Sequence, residues 1–278
     1  MRRVVFLLLM LMPLGAYGQG SIAMAPARFE LEMKPGQETT VVVNLDFKAD
    51  AAEKPVRIVA SLNDWSMGKE GEVSFFPAGS RNMSACPWLI YSPGEAVVAP
   101  GALHQIRITV SVPENATPGD HLAALIVEQR PENLKFAEGT RQMVVRYRLA
   151  TVFYIKVGGL TRKGALTDLL AQANENGIVV TPTLRNEGNS MIRPVTELSI
   201  YDEAGQRVAN IPPTEDLPVL ANSELAQPRL LDSSLAVGKY TLKYRVDFQD
   251  GRPVTEGVTD LVITPQIAKV LGSRKKTN

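Results

Sequence analysis

The sequence predicts an all-β protein built as two tandem β-sandwiches, and three observations predict it. Short apolar or alternating segments rich in Val, Ile, Thr and Leu recur along the chain. Pro-Gly and Asp-Gly turn signals separate them at near-regular spacing, the pattern of a sandwich. A glycine-rich polar break at Val157-Gly158-Gly159-Leu160-Thr161-Arg162-Lys163-Gly164 interrupts the pattern, which then restarts.

In the first unit the expected strands are Ala27–Met33, Thr39–Leu45, Arg57–Leu62, Val73–Phe76, Trp88–Tyr91, Leu103–Val110, Leu122–Gln129 and Val144–Lys156. Lys34-Pro35-Gly36-Gln37, Ser92-Pro93-Gly94-Glu95, Ala99-Pro100-Gly101 and Thr117-Pro118-Gly119-Asp120 punctuate them. Pro followed by Gly suits a type II turn, in which Pro presets φ and Gly accepts a positive φ. In the second unit the expected strands are Ile178–Leu184, Glu197–Tyr201, Arg207–Asn210, Glu224–Arg229, Gly238–Asp247 and Val254–Ile263. Asn186-Glu187-Gly188-Asn189, Asp202-Glu203-Ala204-Gly205 and Gln249-Asp250-Gly251-Arg252 read as hairpin turns between them. Ala165–Ala173 has helical composition yet leads straight into a strand, so helix and strand both fit it.

Met1-Arg2-Arg3 followed by an apolar run to Leu14 and by Gly15-Ala16-Tyr17-Gly18 has the form of a secretory signal. The run is too short to span a bilayer, which takes roughly 20 apolar residues. The expected organisation is a signal peptide at 1–18, sandwiches at 21–157 and 164–265, and a basic flexible tail at 266–278. The cleaved chain is expected to be exported and soluble.

Composition narrows the function. Among 278 residues, Lys+Arg 30 against Asp+Glu 29 leaves no basic field for nucleic acid. Two histidines and one cysteine leave little for a metal site, and neither a metal nor a small-molecule cofactor is expected. No nucleotide fingerprint, phosphate loop, nucleophile elbow or zinc-protease motif occurs. An enzyme, and hence a catalytic residue, is not expected. Asp120-His121 reads as a solvated turn, and Glu30 with Glu32 as the solvent face of a strand. Asp247 and Asp250 near Gly251 fit calcium ligands or a hairpin turn equally well, and Arg146 with Arg148 reads as a solvated strand face. Cys86, having no second cysteine to pair with, reads as a small buried apolar group.

Residues in a fixed order carry a family resemblance. They are Ala25-Pro26-Ala27-Arg28-Phe29-Glu30-Leu31, then Pro35-Gly36, Val41-Val42-Val43-Asn44 and Leu62-Asn63-Asp64-Trp65. Pro87-Trp88-Leu89-Ile90-Tyr91-Ser92-Pro93, Ala99-Pro100-Gly101, Ile106-Arg107-Ile108, Val112-Pro113, Leu122–Glu128 and Arg148-Leu149-Ala150-Thr151-Val152-Phe153-Tyr154 follow. Over about Ser21 to Val157 this set resembles the first domain of PapD-like periplasmic pilus-assembly chaperones. The second unit resembles immunoglobulin-like modules, which are mostly spacers or binding domains.

The resemblance implies a periplasmic chaperone that stabilises secreted pilus- or fimbria-like subunits by donating a strand. Main-chain hydrogen bonds supply the ladder and alternate side chains fill the subunit's groove. The donor residues it implies are Met143, Val145, Tyr147 and Leu149. It also implies that Arg28 anchors a subunit's terminal carboxylate. The family's partnering Lys is missing, since its place falls on Ala150, Thr151 or Val152, and Lys156 is displaced from it. The alternative is an exported two-domain immunoglobulin-like adhesive or structural binding protein.

Overall fold

The computed structural model describes residues 21–48, 54–130, 147–174, 177–231 and 235–274. The first sandwich is formed by β1 (Ser21–Ala25), β2 (Arg28–Met33), β3 (Glu38–Lys48), β4 (Val56–Met67), β5 (Val73–Pro77), β6 (Leu89–Ser92), β7 (Glu95–Val98), β8 (Leu103–Ser111), β9 (Gly119–Arg130) and β10 (Arg148–Val157). One of its sheets runs β1-β3-β8-β6 and the other β2-β10-β9-β4-β5, with β7 paired to β4. The second sandwich is formed by β11 (Gly164–Asn174), β12 (Gly177–Asn186), β13 (Val195–Asp202), β14 (Arg207–Glu215), β15 (Ser223–Leu225), β16 (Arg229–Leu231), β17 (Gly238–Asp247) and β18 (Thr255–Ile263). Its sheets run β11-β12-β15, with β16 also on β12, and β14-β13-β17-β18.

Strand alternation builds each core. In the first, Val43, Leu45 and Phe47 of β3 and Ile106, Ile108 and Val110 of β8, neighbours in one sheet, face Phe153 and Ile155 of β10 in the other sheet. Ile178, Val180 and Leu184 of β12 face Leu242, Tyr244 and Val246 of β17 in the second. β9 departs from polar alternation and is buried almost throughout. Ala123, Leu125 and Val127 point into the first core. Ala124 and Ile126, on the opposite face, join Trp65, Tyr154, Met191 and Leu220 in a third apolar cluster. Met191 and Leu220 belong to the second sandwich, so that cluster packs the two sandwiches together. A strand covered on both faces reads as a continuous apolar run, which is why Leu122–Val127 looks as it does.

Several expectations are corrected. β1 and β7 have no counterpart among the predicted strands. The helical alternative at Ala165–Ala173 gives way to β11, whose long antiparallel pairing with β12, bulged between Leu166 and Asp168, outweighs local propensity. Glu224–Arg229 splits into β15 and β16, which pair with different parts of β12. The segment expected to be a flexible tail instead forms helix α1 (Pro265–Arg274), with Ile267 and Ala268 packed on the second core. Nor is Asp120-His121 a solvated turn: both side chains are buried at the start of β9, under the second sandwich and against Trp88.

Candidate partner-binding edge and interdomain cleft

The last strand of the first sandwich is covered unevenly. On one side β9 pairs with the whole of β10, from Arg148 opposite Glu128 to Val157 opposite Gly119. On the other side β2 runs parallel to β10, but its register starts only at Arg28 opposite Val152. Upstream of Arg28 the chain crosses at Ala25-Pro26 to the other sheet, where β1 pairs with β3. The crossing is tied down by Thr151 Oγ1, which donates to Pro26 O at 2.7 Å, and by Val152 N–H, which donates to Ala27 O at 3.0 Å. Among the described residues, no strand pairs with the β2 side of Arg148–Thr151. That stretch is, among the described residues, an edge whose main-chain groups on this side have no strand partner.

The expected donor residues divide at this edge. Met143 and Val145 lie outside the described residues. Leu149 is half-buried on the side of β10 that continues into Phe153 and Ile155, and Tyr147 is exposed just before the strand. Ala150 and Val152 line the opposite side, against the Trp65 cluster. Arg148 points its guanidinium towards the Phe75 ring, 5.9 Å from its centroid.

Arg28 stands at the end of that edge, as the first residue of β2. Its guanidinium is 53% exposed, 3.5 Å from Glu30 and 3.9 Å from Glu215 of β14. Exposed pairs at such distances contribute little. The residues that bind strongly in this cleft carried no signal in the sequence. Glu30, two residues along the same face of β2, accepts Lys156 Nζ at 2.9 Å and Arg193 Nε and Nη2 at 3.0 and 2.8 Å. Lys156, displaced in sequence from the family position, therefore enters the cleft in space, because the parallel register sets Glu32 opposite Lys156 and Glu30 two residues back. Arg193 comes from the loop before β13 and also lies over the Tyr154 ring at 5.7 Å. Glu30 keeps its place on the exposed face of β2, as the alternation predicts, and is engaged there by two cations. Burial raises its carboxyl, but the hydrogen bonds from Lys156 and Arg193 outweigh that and hold it below the ordinary carboxylate value. A cavity of about 170 Å³ opens beside these groups and is also lined by Arg162.

Two buried acids, Asp64 and Asp120, hold the surrounding structure. Asp64 accepts from Ser84 Oγ at 2.5 Å, from Arg81 N–H at 2.8 Å and from Cys86 Sγ at 3.1 Å, fixing the segment before β6. Burial and the bond to Asp64 push the Cys86 thiol up to about 12, so Cys86 is a buried hydrogen-bonded group. Asp120 accepts Met191 N–H at 2.6 Å and donates its own N–H to Asn189 O at 2.9 Å, bonding the first sandwich to the second. In the second sandwich Asp250 is held by Arg252 and Gly164 N–H, which keeps the hairpin reading. No group of three or more His, Cys, Asp or Glu among the described residues is placed to hold a metal ion. No helix among them is long and apolar enough to cross a membrane.

No family model matches the chain, and no curated protein matches it. Among solved structures the chain is similar to fimbrial chaperones. One belongs to the chaperone–tip adhesin complex of CFA/I fimbriae biogenesis, with 10% identity, coverage of 88% of this chain and 100% of that one, and TM-score 0.45. A second belongs to the CsuC–CsuE pre-assembly complex of archaic chaperone–usher Csu pili of Acinetobacter baumannii, with 15% identity, coverage of 87% and 98%, and TM-score 0.42. A third is the CupB2 chaperone of Pseudomonas aeruginosa, with 11% identity, coverage of 87% and 100%, and TM-score 0.41.

Proposed function

We propose that the protein is a periplasmic chaperone that holds exported pilus- or fimbria-like subunits by adding a strand of the subunit along β10. One observation carries this: among the described residues, β10 is paired on both sides from Val152 onward and on one side only at Arg148–Thr151. An incoming strand in that lane extends the sheet that contains β9 and β10, and its alternate side chains meet Leu149 on one face and Ala150 on the other. Because β2 occupies the same lane in a parallel sense, a parallel incoming strand ends against Pro26–Arg28. That direction supports Arg28 as the anchor for the subunit's terminal carboxylate. Export through residues 1–18 places the protein in the compartment where such subunits are handled.

Native mass spectrometry of the protein purified gently from the exporting compartment of its host tests this. N–H direction alternates along a strand, so Ala150 N–H shares the open side with Val152 N–H. Ala150→Pro therefore removes a donor from the lane and leaves the bond that Leu149 N–H makes on the β9 side. A one-to-one complex with a small exported β subunit, lost in Ala150→Pro and weakened in Arg28→Ala, is the expected result. A lone monomer that neither substitution alters would overturn the proposal and favour an adhesive or structural module.

A further inference from the structure

The strongest cations of the cleft are already occupied, and the occupant is a carboxylate of the same chain. Lys156 and Arg193 hold Glu30 at 2.8–3.0 Å, and their side chains are only 8% and 13% exposed. Arg28 and Arg162 are 53% and 38% exposed, and the closest carboxylates to them stand at 3.5 and 4.0 Å. The cleft thus has a buried, satisfied tier and an exposed, loosely paired tier. A carboxylate arriving along the open lane reaches Arg28 first and finds the buried pair shielded by Glu30.

We propose that Glu30 is a built-in competitor for the partner's carboxylate end, which gains Lys156 and Arg193 only when Glu30 swings off them. This rests on the strand-addition reading above. A tethered carboxylate acts at high effective concentration, so it weakens capture of an external one without blocking the lane itself. The competition is specific to charge at the strand end: a neutral end gives Glu30 nothing to compete against. The depressed protonation of Glu30 keeps the competitor ionised at neutral pH. The cavity beside it gives the displaced side chain, or the arriving carboxylate, space in the cleft.

The probe is an acetylated hexapeptide of alternating valine and threonine, made with either a free carboxylate or a carboxamide end and titrated by calorimetry. Glu30→Gln is expected to bind the acid peptide about tenfold tighter than the native protein and the amide peptide equally. Glu30→Asp, which keeps the charge but draws it back from Arg193, should move in the same direction by less. Glu203→Gln removes a charge from the exposed β13–β14 turn of the second sandwich, away from the cleft, and it should change neither titration. Arg28→Ala added to Glu30→Gln should remove the gain, and melting curves establish that each variant is folded. If the acid peptide gains nothing in either Glu30 variant while both peptides still bind, the competitor is refuted and strand addition stands. If Glu203→Gln gains as much as Glu30→Gln, the effect is general charge and the competitor is again refuted. If neither peptide binds any form of the protein, strand addition itself fails.

Discussion

Asp120 of β9 accepts the backbone N–H of Met191 at 2.6 Å, a bond from the first sandwich to the second made inside a buried interface. Its other oxygen has no hydrogen-bond partner among the described residues, although the Ser190 hydroxyl lies beside the carboxyl. Burial raises its protonation, and the Met191 and Ser190 contacts offset that only in part. A raised carboxyl contributes stability that is present below its ordinary value of 3.8 and is lost as pH rises through the folded value, so ionised Asp120 is costly at neutral pH. Asp120→Ala, which strands the Met191 N–H, should cost about 1–3 kcal/mol. Asp120→Asn keeps an acceptor and removes the buried charge, and it should cost clearly less. Urea midpoints at pH 7 check the order, and an Asn variant as unstable as the Ala variant would contradict it.

Glu30 has the opposite sign. Its carboxyl is depressed, so the stability from its ion pairs is present above the ordinary value of 4.5 and lost as pH falls through the folded value. Lys156→Met should lower stability by about 1–2 kcal/mol at pH 7, because Arg193 still partners the carboxylate. The difference between native and variant should shrink on acidification into the carboxylate range. Urea titrations at pH 7 and at pH values below 4.5 measure it, and a difference that stays constant with pH counts against the pairing.

How much of this was legible in the sequence differs by layer. Alternation and Pro-Gly punctuation located β2, β3, β8 and β17, since each reflects a local rule. β1 and β7 escaped because five- and four-residue strands carry too few alternations to stand out. β11 stayed open between helix and strand because its Ala and Leu favour helix, and only pairing with β12 decides it. Arg28 was singled out by its place in an ordered set of residues, and it stands as the first residue of β2 with an exposed guanidinium. The Glu30–Lys156–Arg193 cluster was not, since residues 30, 156 and 193 meet only through a parallel register and an interdomain contact. Asp120-His121 was misread for the same reason: the turn before it looks solvated until the second sandwich is placed over it.

His121 packs against Trp88 with ring centroids 4.2 Å apart and the planes tilted by 42°, and donates from Nε2 to Thr117 O at 2.9 Å. Burial lowers its protonation below the ordinary 6.5, against smaller opposing contributions from Thr117 and Asp120. The neutral ring therefore contributes stability that is fully present above 6.5 and is lost as pH falls through the folded value. His121→Gln keeps a donor in place and does not titrate. The native urea midpoint should fall between pH 7 and pH 5, and the variant should show a shallower fall. Equal slopes would remove His121 from the pH response.

Gly119 precedes Asp120 at the junction, with φ at +125° and space for no side chain: an added Cβ would meet Asn189 O at 2.9 Å. Both the backbone region and the close approach to the second sandwich demand glycine there. Gly119→Ala should strain the start of β9 and push Asn189 away, at a cost of about 1–3 kcal/mol. It should also loosen the Met191 bond to the neighbouring Asp120. Gly158→Ala is the control, because an added Cβ meets nothing within 4 Å there. Thermal melts should show Gly158→Ala close to native and Gly119→Ala lowered. Protease cleavage between the sandwiches should rise only in the latter. Equal melting of the two variants would show that the junction tolerates a side chain and that the close contact with Asn189 does not hold the sandwiches together.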